Sequence, residues 1–396
     1  MLDIESAAPA SERGIDFGLT DDQLIIRDTV REFAAKEIDP IVEEIDEAQR
    51  FPMEVMKKAG ELGFLGVIFP EEYGGAGMGY VEYVIIVTEL SVVDPSVGIS
   101  VAAHNSLCSN HIYKFGDDSQ RQRWLVPLAS GEKIGAWSLT EPGAGSDAGG
   151  TRSTAEKVDG GWVLDGSKTF TTHGSVGDVC VIMAVTDPEG PKGRNISAFV
   201  LERGMEGFRP GKKENKLGIR ASDTAEVVME RCFVPDDHLL GEPGEGFKQA
   251  LAILDGGRIS IAALGLGTAL GAFDTARDYA REREQFGRPI AQFQAIQFYF
   301  AEMATRIAAA EALTFAAADA IDRGERVTRL ASEAKLAAGE AAVFCAERGV
   351  QILGGYGFIK DYRAEKFYRD AKICTIGEGT SEIQRLVIAR QLFEAS

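Results

Sequence analysis

Val179-Cys-Val-Ile-Met-Ala-Val185 and, a turn-rich interval later, Ile196-Ser-Ala-Phe-Val-Leu201 are short, apolar and rich in β-branched residues, the pattern of strands. They belong to a stretch from Lys133 to Pro235 in which similar runs are cut by Asp159-Gly160-Gly161 and Asp165-Gly166, both read as turns. This predicts an antiparallel sheet or small barrel. On either side the apolar residues recur at helical spacing. Before it, Thr20 with Asp21 and Asp22 marks a helix start, Leu24, Ile25, Val30 and Phe33 share a face, and Pro40 ends the helix. Further helices are predicted over Pro52 to Glu61, Tyr80 to Val93 and Gly98 to Tyr113. After Gly246 about four long helices follow, separated at Gly287-Arg288-Pro289, Asp322 to Glu325 and Gly354 to Asp361, and antiparallel packing makes them a bundle. The fold class is α+β: an N-terminal α-helical domain (1–131), a central antiparallel β-barrel domain (132–240) and a C-terminal four-helix bundle (241–396).

A chain of 396 residues, 45% hydrophobic, can bury a large core. Its 61 acidic against 42 basic side chains give a formal charge of −19, which repels phosphate backbones and anionic lipid surfaces. Nucleic acid and membrane are therefore not expected as partners. Met1 to Ala10 carries Asp3 and Glu5 where a targeting peptide has a basic region, and the run from Ile261 to Ala272 is short for a bilayer span. The cytoplasm is expected, or the mitochondrial matrix if the source has one. Cys108, Cys180, Cys232, Cys345 and Cys374 are odd in number and widely spaced, which suggests buried thiols rather than disulfides or a metal site. His104 and His111 stand seven apart on a predicted helix without further ligands, and no metal is expected.

Four clusters stand out. Trp137-Ser-Leu-Thr-Glu-Pro-Gly-Ala-Gly-Ser-Asp147 offers bare backbone and hydroxyls to a ligand, or is a surface turn. Gly265-Leu-Gly-Thr-Ala-Leu-Gly271 looks like a dinucleotide fingerprint, but its third glycine comes one place late and it lies within a helix, so close helix packing is the reading. Gln351-Ile-Leu-Gly-Gly-Tyr-Gly357 alone is a glycine helix end. Ile376-Gly-Glu-Gly-Thr-Ser-Glu-Ile-Gln-Arg385 sets Glu378 between two glycines, where a substrate can approach a carboxylate.

Taken together, in this order and at this spacing, the clusters resemble the acyl-CoA dehydrogenase family over nearly the whole chain. The resemblance implies a helical domain, a β-barrel domain and a four-helix bundle, FAD held without a Rossmann domain, and a homotetramer. It implies that Trp137, Leu139, Thr140, Gly145 and Ser146 form a flavin loop, with Ser146 shared with substrate. Lys168-Thr-Phe-Thr-Thr-His-Gly174 matches a second flavin segment, here Phe170, Thr171 and Thr172. Phe170 replaces a commoner tryptophan and His173 a commoner asparagine, so stacking is kept and an indole donor is lost. Arg283, Gln285, Phe286 and Gln294 resemble the site for the pyrophosphate and adenine of a neighbouring subunit's FAD. The alternative for Arg283 is an ordinary exposed charge. Gln351, Leu353, Gly354 and Gly355 would lie on the same cofactor, and Thr380 and Glu382 at its other end. Asp255, Gly256, Arg258 and Gly379 resemble the substrate segments, the alternative for Asp255 and Arg258 being a helix-surface ion pair.

By the same resemblance Glu378 is the base that takes the α-proton of an acyl-CoA substrate, and hydride passes from Cβ to the flavin. The backbone N–H of Glu378 and a ribityl hydroxyl would serve the thioester oxygen, and an electron-transferring flavoprotein would take the electrons. An acyl-CoA oxidase or a non-catalytic scaffold of the same fold is the alternative. A decarboxylating glutaryl-CoA enzyme fits less well, because Val97 to Cys108 contains neither Arg nor Lys. Gly257 stands where some relatives carry the glutamate, and it is expected to face the same α-carbon as Glu378.

Overall fold

A computed structural model describes residues 18–393; the start from Met1 to Ala10 lies outside them. The first part is helical: α1 (Asp21–Phe33), α2 (Met53–Glu61), α3 (Tyr80–Val93), α4 (Pro95–Ala103) and α5 (Asn110–Phe115) are its main elements. Thr20 Oγ1 accepts from the Gln23 N–H at 3.2 Å and Gln23 Oε1 accepts from the Thr20 N–H at 3.0 Å, the reciprocal cap that starts α1. Val30 and Phe33 turn inward, but Ile25 is 63% exposed. Its place on the apolar face is taken by Ile26, four residues before Val30 and so on the same side of the helix.

The helix predicted from Gly98 begins earlier, at Pro95. Asp94 caps it by accepting from the Ser96 N–H at 2.8 Å, and a proline at the first helical position needs no hydrogen bond. Between α4 and α5 the segment His104–Ser109 is π-helical. Asn105 Nδ2 and Ser106 Oγ donate to the carbonyls of Val101 and Ala102, acceptors that a regular helix gives to backbone N–H groups.

The middle part contains β1 (Gly135–Ser138), β2 (Thr154–Val158), β3 (Gly161–Thr172), β4 (Val179–Val185), β5 (Ile196–Glu202), β6 (Phe208–Lys213), β7 (Thr224–Pro235) and β8 (Leu239–Leu240). Strand order is β6-β7-β3-β2-β4-β5-β8, with β1 beside β4. Pairing is antiparallel, as expected, except that β1 and β2 both run parallel to β4, since a long loop rather than a hairpin joins β1 to β2. Asp159 and Gly160 do close the β2–β3 hairpin. Asp165-Gly166, expected to be a second turn, is instead a β-bulge inside β3, where the register with β7 shifts and Gly166 takes φ 138°.

The last part comprises α6 (Gly246–Glu282), α7 (Gln294–Asp322), α8 (Thr328–Leu353), the short α9 (Ala364–Ala371) and α10 (Ser381–Phe393). α6, α7 and α8 pack on one another, and α10 completes the group against α8. By length and hydropathy, 1.4 on average over its most apolar window, α6 could cross a bilayer, yet 78% of that window is buried inside the protein. Its small residues serve packing, as their helical context suggested. A Cβ on Gly267 would lie 2.3 Å from the Thr88 carbonyl of α3, and one on Gly271 2.5 Å from the Phe367 ring of α9.

The three parts meet at a buried charge cluster. Lys366 Nζ of α9 donates to Asp94 Oδ1 at 2.8 Å and Asp370 Oδ2 at 2.6 Å, while Asp370 Oδ1 accepts from the Ile219 N–H at 2.6 Å. Removing the cation strands two carboxylates out of water. Lys366→Ala is expected to cost roughly 3–5 kcal/mol, read as a lowered denaturation midpoint in urea with an unchanged slope.

Candidate active site

Glu378 stands on the turn that enters α10, in the left-handed region at φ 53°, and Gly379 follows at φ 94°. Such a backbone is costly for any residue but glycine and persists only where its surroundings hold it. Here Gln384 Nε2 donates to the carbonyls of Glu378 and Gly379, at 3.2 and 2.9 Å. Lys335 Nζ of α8 donates to the same Gly379 carbonyl at 2.6 Å.

That backbone sends the carboxyl onto α6. A Cβ on Gly257 would lie 1.9 Å from Glu378 Oε2 and 3.3 Å from Leu107 Cδ2, so the carboxyl occupies the space a side chain at 257 would need. Oε2 is closed off from solvent and has no hydrogen-bond partner among the described residues. Burial pushes the carboxyl up to about 7, against the pull of Lys335 and Arg258 toward the ionised form. A group with that affinity and a free oxygen can take up and release a proton near neutral pH.

The neighbouring residues on α6 are not a surface pair. Arg258 is 6% exposed, its Nη1 meets Asp255 Oδ1 at 2.5 Å, and Asp255 Oδ2 accepts from Thr328 Oγ1 at 2.7 Å. Arg258 Nε is buried without a partner. Gly256 allows α3 to approach, since a Cβ there would lie 2.5 Å from the Tyr80 hydroxyl.

The two segments read as a flavin site lie side by side. The Thr169 N–H donates to the Thr140 carbonyl at 2.8 Å, and the hydroxyls of Ser138 and Thr171 bond to each other. The loop after Thr140 is built around Glu141, whose Oε1 accepts from buried Lys168 at 2.7 Å and from Ser153 N–H and Oγ at 2.9 and 2.7 Å. Its Oε2 accepts from the Arg152 N–H at 2.7 Å. Gly145 and Ser146 are left exposed on the rim. A second bulge in β3 sets Phe170 at φ 55° and leaves it 65% exposed, with Thr172 half-buried beside it. Trp137, half-buried, packs against a small apolar cluster of Ala103, Leu107, Ile253 and Leu254. This ties β1 to the residues around Gly257 and Glu378.

Arg283, Gln285, Leu353, Gly354 and Gly355 gather elsewhere, around a surface cavity of about 430 Å³. Arg283 follows the last residue of α6, and at about 1.5 Å per residue it lies roughly 38 Å along the axis from Arg258. Its guanidinium stacks 5.5 Å over the Tyr356 ring. Phe286, 94% exposed, and Gln294 flank this region, Gln351 is exposed on α8, and Glu382 is exposed on α10. Thr380 Oγ1 accepts from the Ile383 N–H at 3.3 Å, an ordinary helix cap.

Several contacts escaped the sequence reading. His111 Nδ1 accepts from Trp137 Nε1 at 3.0 Å, so its Nε2–H donates to Gln249 Oε1, also at 3.0 Å. His104 accepts from the Gly135 N–H at 3.1 Å and donates to the Leu128 carbonyl at 3.0 Å. Burial lowers the two to about 4 and about 3, so both are neutral struts near pH 7. The described residues hold no cluster of metal-ligating side chains. Lys335 had a visible signal: it falls four residues after Ala331 and three before Ala338, on a helix face that is otherwise small and apolar.

Because the unfolded chain releases the Glu378 proton near 4.5 and the folded one near 7, the folded state holds more protons between those values. Stability therefore falls as pH rises through that window. Glu378→Gln is expected to melt a few degrees above the parent at about pH 8, with the gap closing below about pH 4.5; scanning calorimetry across pH checks this.

Family models for the N-terminal, middle and C-terminal domains of acyl-CoA dehydrogenases match residues 20–132, 136–232 and 244–393. The chain is 49% identical to the short-chain specific acyl-CoA dehydrogenase of Clostridium acetobutylicum, over 96% of this chain and 100% of that one. Among solved structures, butyryl-CoA dehydrogenase from Megasphaera elsdenii superposes with a TM-score of 0.93 at 41% identity, over 96% of this chain and 100% of that one. A structure described as the electron transferring flavoprotein of Acidaminococcus fermentans gives 0.94 at 47% identity, over the same shares. With all three domains matched and relatives of this identity along nearly its full length, the chain belongs to the acyl-CoA dehydrogenase family.

Proposed function

We infer that the chain catalyses α,β-dehydrogenation of a saturated acyl-CoA, breaking one C–H bond at Cα and one at Cβ to leave a trans-2-enoyl-CoA. The names of its relatives support a short acyl group. Domain divisions at 131/132 and 240/241 suit this reading.

The observation that carries it is the Glu378 carboxyl, partnerless at Oε2 and held over bare backbone at Gly257. In this role Glu378 accepts the α-proton, and its backbone N–H donates to the thioester oxygen where negative charge develops. Asp255, Gly256, Arg258 and Gly379 shape the floor on which the thioester lies, and Ser146 reaches it from the flavin loop.

Family members are flavoproteins, and the residues here fit FAD. Gly354 and Gly355 present a glycine edge with nothing within 4 Å of an added Cβ, open to a ligand. Arg283 is engaged by the Tyr356 ring rather than by a salt bridge among the described residues, which leaves its donors for phosphate oxygens. Exposed Phe170, with Trp137, Leu139, Thr140, Gly145, Thr171 and Thr172, would hold the ring end, and Thr380 and Glu382 its neighbourhood. Bound FAD supplies the hydride acceptor, which no side chain provides.

Arg283 with Gln285 and Phe286 just past the end of α6, Gln294 at the start of α7, and Gln351 and Leu353 at the end of α8 lie too far from Glu378 to serve the cofactor beside it in the same chain. They would serve a neighbour's, which supports a homotetramer. Electrons then pass to an electron-transferring flavoprotein, a partner supported by the Acidaminococcus likeness.

Glu378→Gln is expected to keep its FAD and lose roughly 10²–10⁴-fold in turnover; anaerobic bleaching at near-parental rate would remove Glu378 as the base. Arg283→Ala is expected to lose FAD on dialysis and to shift toward smaller species in size-exclusion chromatography. Full FAD retention in the parental assembly would count against a shared site.

A further inference from the structure

Lys335 is a charged side chain that the reaction described above leaves unused. It is completely buried on α8, on the face formed by Ala331, Ala334, Ala338 and Ala342. An ammonium in such surroundings is unfavourable unless something there requires it. Its hydrogen-bond partner is a backbone carbonyl, that of Gly379, rather than a carboxylate. Gln384 shares that acceptor and also holds the carbonyl of Glu378, so both carbonyls of the left-handed turn are held by side chains. Other charged or titratable groups feel the same field. Arg258 and Asp255 lie on α6, Tyr80 and Tyr83 on α3, and Cys374 and Glu382 on the segments flanking the turn. Of these, Arg258 is partly neutralised by Asp255, whereas Lys335 meets no carboxylate at hydrogen-bond distance among the described residues.

We propose that Lys335 is a positioning residue for Glu378: its ammonium clamps the Gly379 carbonyl to keep the carboxyl over Gly257, and its charge favours the ionised carboxylate that accepts the α-proton. This rests on Glu378 being the base. Two effects are therefore separable. Lys335→Met removes both the clamp and the charge at similar volume, and Lys335→Gln keeps a donor for the carbonyl while removing the charge.

The test is the pH dependence of kcat/KM for the FAD-loaded enzyme with butyryl-CoA, together with infrared titration of the Glu378 carboxyl, assigned by difference from Glu378→Gln. Both Lys335 variants are expected to move the acid limb and the infrared midpoint upward by about one pH unit. Lys335→Met is also expected to lose about tenfold or more in kcat at the plateau through a misplaced carboxyl, most of which Lys335→Gln recovers. A merely structural lysine would change yield and melting temperature without moving the midpoint. If Lys335→Met does not fold, the infrared midpoint of Lys335→Gln decides alone: a rise supports the role, and an unmoved or lowered midpoint overturns it. A Glu378→Gln enzyme with parental turnover overturns the base and this inference together. An inactive Glu378→Gln beside an unmoved midpoint in Lys335→Gln overturns the role of Lys335 alone.

Discussion

A long helix enclosed on nearly every side is the constraint on which this architecture depends. α6 runs 37 residues through the protein, and each neighbour can reach it only where its side chains shrink. At Gly246 the backbone of β5 comes within 2.5 Å of where a Cβ would be, at Gly265 the backbone of α8 within 3.0 Å, and at Gly267 that of α3 within 2.3 Å. The helix is thus the common wall of the sheet, the first helical layer and the bundle. Gly257 belongs to the same series, except that there the close approach is made by a side-chain carboxyl, that of Glu378, instead of a backbone. A seam of small residues needed for packing thus has one member that makes room for an acid.

The buried charges fall into two kinds. Glu141 and Asp370 have both oxygens engaged, by Lys168, Ser153 and Arg152 in one case and by Lys366 and the Ile219 N–H in the other. Such groups fix geometry: the first shapes the loop from Thr140 to Ser153, and the second joins the three parts of the chain. Glu378 is buried equally deeply at Oε2 but is left incompletely satisfied, with cations acting on it through space and on its backbone. Incomplete compensation is what keeps its proton affinity near neutrality rather than far below it.

Much of this was legible in the sequence for identifiable reasons. Helices such as Tyr80–Val93 and the cap at Thr20 are written in local pattern, and the island of β-branched runs marked the sheet. The glycines around Glu378 signalled an approachable carboxylate. What pattern could not supply was long-range. Asp165-Gly166 carries turn chemistry but is spanned by β7, so the pairing strand converts a turn into a bulge. The π-helical segment at His104–Ser109 depends on side chains competing for carbonyls, and the partner of Lys335, marked only as a lysine on a small apolar face, is a carbonyl 44 residues later in the chain. His111 and Gln249 lie 138 residues apart, and no local rule joins them to Trp137.

Positions 257 and 378 share one volume, so they cannot be treated as independent letters. A side chain at 257 would meet the end of the flexible Glu378 side chain and push its carboxyl off the place it holds here. The effect of a substitution at 257 therefore depends on which residue stands at 378, and the two positions are read together or not at all.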